Sequence, residues 1–152
     1  MKILELAPET PAAAALIALS DAHMQALYPA ESNHPESIAG LQMSNVLLVG
    51  GYVEGTLVAC GAVKILDDDD NYGEIKRMFV LEAYRGNGYS KAILLHLEAH
   101  LIANGVPLAR LETGVKQPEA LGLYRKLGYH ERSPFGRYHA DPLSVFMEKQ
   151  IS

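Results

Sequence analysis

The sequence predicts a mixed α/β fold built on one mostly antiparallel sheet. Three observations carry that prediction. Between Val46 and Val80, three apolar, β-branched runs are separated by short polar turns, the pattern of consecutive antiparallel strands. A long apolar helix follows Gly88, and a further strand begins at Leu108. A strand, a crossover helix and a strand in that order make a parallel pair, expected to be right-handed.

Taken in order, Lys2 to Leu6 opens with a short strand whose apolar residues are Ile3, Leu4 and Leu6. Thr10 and Pro11 supply an N-cap and a favoured first-turn proline, so the Ala-rich run predicts a helix to Leu27, stopped by Pro29. Residues 28–35 are polar and proline-bounded, and a short helix is expected from Glu36 to Gln42. Val46 to Val53, the turn Glu54-Gly55 and Leu57 to Leu66 form a hairpin. Asp67 to Asn71 is too polar to pack and reads as a solvated turn before the strand Glu74 to Val80. In the helix after Gly88, Ala92, Leu95, Ala99 and Ile102, with Ile93, Leu94, Leu97 and Leu101 beside them, give a broad apolar face that ends at Asn104-Gly105. The strand Leu108 to Thr113, a helix from Pro118 to Leu127 ended by Gly128, and a last strand around Ser144 to Glu148 complete the chain.

The 152 residues, 49% hydrophobic and 20% charged, suit one domain spanning 1–152 and exclude a disordered chain; no repeat or linker is visible. Cys60 is alone, so no internal disulfide or thiolate zinc cluster forms, and a reducing cytoplasm is the expected location. On its strand it reads as a small core hydrophobe. Proline and glutamate interrupt the N-terminal apolar run, so no signal peptide is expected, and nothing approaches the ~18 apolar residues of a membrane span. The net charge of −5 argues against nucleic-acid binding. Asp67 to Asp70 hold four of those negative charges, leaving the rest of the chain nearly neutral. His96 and His100 lie four apart with no third ligand, and the Asp run lacks calcium-loop spacing, so no metal is expected. Eight Tyr and no Trp leave hydroxyl-bearing rings available to a cleft.

The chemistry is concentrated in Val80-Leu81-Glu82-Ala83-Tyr84-Arg85-Gly86-Asn87-Gly88-Tyr89-Ser90-Lys91, where a strand ends, a Gly-containing loop follows and a helix begins. Loop glycines let backbone N–H groups turn toward a ligand, and a helix N-terminus adds roughly half a positive charge. Arg85 and Lys91 flank the loop. A diphosphate suits such a site. A dinucleotide fingerprint needs a third glycine where Lys91 stands and a parallel strand-helix-strand opening, and a P-loop needs Gly-Lys-Ser/Thr; neither is present.

Arg85-Gly86-Asn87-Gly88-Tyr89-Ser90 resembles the Arg/Gln-x-x-Gly-x-Gly/Ala pyrophosphate loop of the GNAT-type N-acetyltransferases, and it follows Ile75 to Val80, which is similar to that family's fourth strand. Gln117-x-x-Ala120-x-x-Leu123-Tyr124-Arg125-Lys126-Leu127-Gly128-Tyr129 resembles the family's Asn-x-x-Ala-x-x-Leu-Tyr-Glu-Lys-x-Gly-Phe segment. Ser90 stands where the family has Gly or Ala, and Gln117, one methylene longer, where it has Asn. Residues 28–32 and 135–148 look like a bacterial subgroup of the family whose acceptors are unassigned.

The resemblance implies the GNAT fold, a sheet of six to seven strands with about four helices, and transfer of acetyl from acetyl-CoA to a primary amine of a small molecule or peptide by direct attack. It implies that the backbone of Met78, Phe79 and Val80 holds the pantetheine arm and polarises the thioester. Arg85, Gly86, Asn87, Gly88, Tyr89, Ser90 and Lys91 would hold the diphosphate, and Gln117 the cofactor arm. Tyr124 matches the tyrosine that protonates the leaving thiolate. Glu74 matches a position where relatives place a base, with Glu112 or a water as competitor. Tyr28, Glu31, His34, Glu112 and Tyr138, with His23 and His139, fall in segments bordering the acceptor cleft. A catalytically silent acyl-CoA-binding regulator is the alternative, and Tyr124 favours the enzyme because a binder needs no thiolate acid. Homodimers are common in the family, but no residue here decides the point.

Overall fold

A computed structural model describes residues 1–152. The strands are β1 (Lys2–Glu5), β2 (Val46–Val53), β3 (Thr56–Leu66), β4 (Tyr72–Val80), β5 (Leu108–Gly114), β6 (His130–Arg132) and β7 (Ser144–Gln150). The helices are α1 (Pro11–Leu27), α2 (Ile38–Leu41), α3 (Tyr89–Ala103) and α4 (Pro118–Lys126), with short 3₁₀ turns at Ala30–Ser32 and Glu82–Tyr84. One sheet holds all seven strands in the order β1-β2-β3-β4-β5-β7-β6, and only β4 and β5 pair in parallel. The expected GNAT architecture is therefore present, with β6 as the seventh strand.

Glu54 and Gly55 both take positive φ, the twist a two-residue hairpin turn requires between β2 and β3. Alternate residues then face opposite sides of the sheet. Val49 and Val63 pack with Ile93, Leu94, Leu97 and Leu101 of α3, while Leu48, Cys60 and Ala62 pack with Ala13, Leu16 and Ile17 of α1. Cys60 is fully buried, as a core hydrophobe should be. A third cluster, Tyr72, Phe135 and Phe146, anchors the segment before β7.

Several sequence expectations are corrected. On α3, Leu95 and Ile102 face solvent, and Glu98 lies inside the buried stripe, where it accepts hydrogen bonds from Tyr129 Oη at 2.7 Å and Lys149 Nζ at 2.9 Å. Eight apolar positions are more than one stripe on a sheet can hold, so the outer ones are released. Thr10 precedes α1, but its hydroxyl donates backward to the Ala7 carbonyl and caps nothing in the helix. The short helix begins at Ile38 because the Ser37 hydroxyl accepts the Gly40 N–H. The Asp67–Asp70 turn is no freely solvated run. Arg110, 2% exposed on β5, donates to the Asp69 carbonyl, Asp70 and Glu148, and Asp68 accepts from Tyr72 Oη at 2.7 Å. No helix is long and apolar enough to cross a membrane.

Candidate active site

β4 and β5 pair only over Tyr72–Ile75 and Leu108–Leu111. Beyond those residues the strands part, leaving the β5-facing edge of 76–80 and the β4-facing edge of 112–114 without ladder partners. A bulge accompanies the split: Ala62 opposes Lys76 and Cys60 opposes Phe79, so β4 carries one extra residue there. Arg77 sits in that bulge with φ of 57°. Its guanidinium holds the strained backbone, donating twice to the Glu36 carbonyl at 3.0 and 2.7 Å and pairing with Asp21 at 2.5 Å. The fork opens into a cleft of about 760 Å³ that runs from the start of α3 to the end of α1.

At one end of the cleft, Gly86 and Gly88 have φ of 81° and 79°. A Cβ added at either would meet nothing within 4 Å, so backbone conformation and an open approach, rather than tight packing, account for glycine there. The six consecutive backbone N–H groups from Gly86 to Lys91 have no acceptor in the protein; the helix ladder starts at Ala92 bonding to Gly88. Arg85 lies beside them, its Nε bound to the Val80 carbonyl at 2.9 Å and its guanidinium over the Phe79 ring. These donors fit a diphosphate. Asn87 is not part of the lining. Its amide turns back to the Tyr84 carbonyl at 2.9 Å and braces the loop.

The second wall is α4. Tyr124 is 6% exposed and makes no side-chain hydrogen bond, yet it lines the cleft. No sealed side-chain oxygen in the molecule lacks a partner, so this unpartnered hydroxyl opens into the cleft. Burial pushes its pKa up to about 12, and the nearby charge of Glu112 acts in the same direction, keeping the phenol protonated at neutral pH. Gln117 is the N-cap residue just before α4 and accepts at Oε1 from Tyr28 Oη at 3.4 Å. Tyr28 Oη also accepts the Lys116 N–H at 3.0 Å. Tyr28 itself is buried behind the lining and latches α1 to the turn before α4, which corrects its reading as a cleft-wall residue.

On the acceptor side, Glu74 is not a strand-end carboxylate but the third residue of β4, 5% exposed. Its Oε2 accepts from Tyr138 Oη at 2.5 Å and Lys76 Nζ at 3.2 Å. Burial and the Glu74 charge raise the Tyr138 pKa. The His34 ring meets Tyr138 edge-on at 5.3 Å. Glu112, half-buried on β5, also faces the cleft, and desolvation raises its pKa above the ordinary carboxylate value. Glu31 lies outside the main cleft in an adjoining hollow of about 630 Å³ that also contains His139 and shares Glu74, His34 and Tyr138 with it. The cleft thus gathers Glu74, Met78–Val80, Arg85, Gly86, Gly88–Lys91, Glu112, Gln117, Tyr124, His34, His23 and Tyr138. Sequence reasoning assigned no role to Lys76 or Arg77. Lys76 was within reach, since it shares a strand face with Glu74; the bulge that diverts Arg77 leaves no mark in the sequence.

A family model described as the acetyltransferase (GNAT) family matches residues 14–129. The chain belongs to the GNAT acetyltransferase family. A relative in Azospirillum brasilense, named IAA acetyltransferase, is 40% identical over 99% of this chain and 100% of its own length. A Klebsiella pneumoniae structure described as an acyl-CoA N-acyltransferase is 34% identical with a TM-score of 0.82, covering 99% of this chain and 97% of that one. The PaiA N-acetyltransferase of Thermoplasma acidophilum, solved with coenzyme A, is 18% identical with a TM-score of 0.71 and covers 98% of each chain, a likeness of fold. GNAT acetyltransferases bind acetyl-CoA and an acceptor, and this member is an acyltransferase.

Proposed function

We propose that this GNAT protein transfers the acetyl group of acetyl-CoA to a primary amine of a small molecule or peptide by direct attack. The observation that carries the proposal is the Tyr124 hydroxyl, protonated and unpartnered, opening into the fork between β4 and β5. The diphosphate is held by the N–H groups of 86–91 with Arg85 and Lys91. The pantetheine arm follows the unpaired edge of Met78 to Val80, with Gln117 on the opposite wall. Donors on that edge polarise the thioester carbonyl where negative charge develops. The amine nitrogen bonds to the carbonyl carbon, the C–S bond breaks, and Tyr124 gives its proton to the departing sulfur. A carboxylate on the acceptor side, Glu74 or Glu112, receives the proton the ammonium must lose. The name of the Azospirillum relative supports acetyl as the transferred group.

Tyr124→Phe tests the assignment. It should lower thiol release by about 10²–10⁴-fold, the usual range for a general acid, while acetyl-CoA affinity is retained. An undiminished rate with every acceptor would remove Tyr124 from the mechanism.

A further inference from the structure

Two cavities meet on the acceptor side, and one wall divides them. The residues common to the linings of the 760 Å³ cleft and the 630 Å³ hollow are Glu74, His34 and Tyr138. Phe146, which packs against Tyr138, lies opposite Glu112 across β5 and β7, and Glu74 is in register with Arg110, two residues before Glu112. The wall therefore stands on the sheet face that carries both carboxylates. Tyr138 is held at each end. Its hydroxyl bonds to Glu74 Oε2 and accepts from Lys76 Nζ at 3.2 Å, while its ring packs against Phe135, His34 and Phe146 with centroids 5.2, 5.3 and 5.4 Å away. The partition continues at Ser32, which lines the cleft and donates its hydroxyl at 2.7 Å to Asp141, which lines the hollow. A phenol bound to an ionised acceptor and packed by three neighbouring rings is a fixed wall.

From this we infer that Tyr138 sets the size of the acceptor: it confines the amine-bearing molecule to the cleft, keeps the hollow out of reach, and so selects a small amine over a peptide. The inference rests on the acetyl-transfer reading and narrows its acceptor class. The reacting nitrogen has to lie at the fork between β4 and β5. Glu74 is the next-to-last residue of β4 paired with β5, so the Tyr138 hydroxyl bound to it stands close to the fork on the acceptor side. A compact acceptor body fits in front of the ring, whereas a chain that continues past Glu74 meets the phenol. The hollow behind it is nearly as large as the cleft and is bordered by Glu31, Arg137 and His139, polar groups that could take the amides of a longer acceptor once the ring is removed.

The test is the ratio of kcat/KM for thiol release by the full chain with acetyl-CoA and two matched pairs of amines, glycinamide against triglycinamide and n-butylamine against 4-phenylbutylamine. The longer member of each pair keeps the same reacting amine. Wild type should favour the shorter member of each pair that turns over. Tyr138→Ala should shift the ratio toward the longer member by about 10–200-fold, the range over which a pocket wall discriminates. Tyr138→Phe keeps the ring and should keep the wild-type ratio. Any loss that passes through Glu74 affects both members and cancels. Ala140 borders the hollow, so adding Ala140→Trp to Tyr138→Ala should restore the preference for the shorter member, and Ala140→Trp alone should leave the wild-type ratio unchanged. An unchanged ratio in Tyr138→Ala with acetyl-CoA affinity intact by calorimetry overturns the inference, as does a wild type that uses the longer members as well as the shorter. If Tyr138→Ala fails to fold, Ala140→Trp alone decides: a selective loss of the longer acceptors would place them in the hollow already and overturn the inference, and an unchanged ratio supports it. Absence of thiol release from wild type with all four amines overturns the acetyl-transfer reading itself.

Discussion

Tyr138 donates its hydroxyl to Oε2 of Glu74 at 2.5 Å, and that same oxygen accepts Lys76 Nζ at 3.2 Å. The bond joins the segment before β7 to the first half of β4, on the wall of the cleft. Tyr138→Phe removes one charge-assisted hydrogen bond while leaving the Lys76–Glu74 pair, so a loss of about 1.5–3 kcal/mol is expected in urea unfolding. An unchanged midpoint would mean that the bond contributes nothing to holding this wall.

Gly88 separates two effects that sequence alone merges. At φ of 79° any side chain is strained, by about 1–2 kcal/mol, yet a Cβ meets nothing within 4 Å. Gly88→Ala should therefore lower stability modestly and retain acetyl-CoA binding. Gly88→Glu should add a negative charge beside the diphosphate cradle and weaken binding by roughly 10²-fold, following the cost of like-charge juxtaposition. Equal affinities for the two variants by calorimetry would contradict the cradle.

Gly114 faces the ring of Tyr28 so closely that a Cβ would overlap the phenol. Gly114→Ala should cost about 1–3 kcal/mol by overpacking and lower the thermal midpoint. A wild-type melting curve would show that the latch between α1 and the turn before α4 is loose.

Much of this was legible in the chain, for reasons tied to particular residues. Glu54-Gly55, Gly88 and Asn104-Gly105 are local signals, and local signals placed the hairpin and the limits of α3 well. The order of strands followed from them. What depended on distant partners was not legible. Tyr28 and Gln117 are 89 residues apart in sequence, and nothing at either position announces their bond. Asn87 belongs to the loop motif, but a motif position does not say whether its side chain turns toward the ligand or back to Tyr84. Asp69 and Asp70 looked solvated because Arg110, which they bind, lies on another strand.

Tyr28, Tyr72, Tyr124, Tyr129 and Tyr138 all hold their protons above the ordinary phenol value, chiefly because burial disfavours the phenolate. A raised pKa means that the folded state binds the proton more tightly than the unfolded state. Stability from this source is complete below the ordinary value near 10 and is lost as pH rises through the folded values, about 12 for Tyr124. Tyrosinate absorbance should contain a late step that coincides with loss of circular dichroism. Ionisation of these five near pH 10 with the fold intact would contradict their burial.

The central claim is acetyl transfer from acetyl-CoA to an amine. Its most direct test is a panel of amines, amino acids and peptides, with CoA thiol release and product mass read together. The account predicts at least one acceptor that gains an acetyl group for each thiol released. Tight acetyl-CoA binding with no thiol release across the panel would contradict it and leave a silent acyl-CoA-binding module.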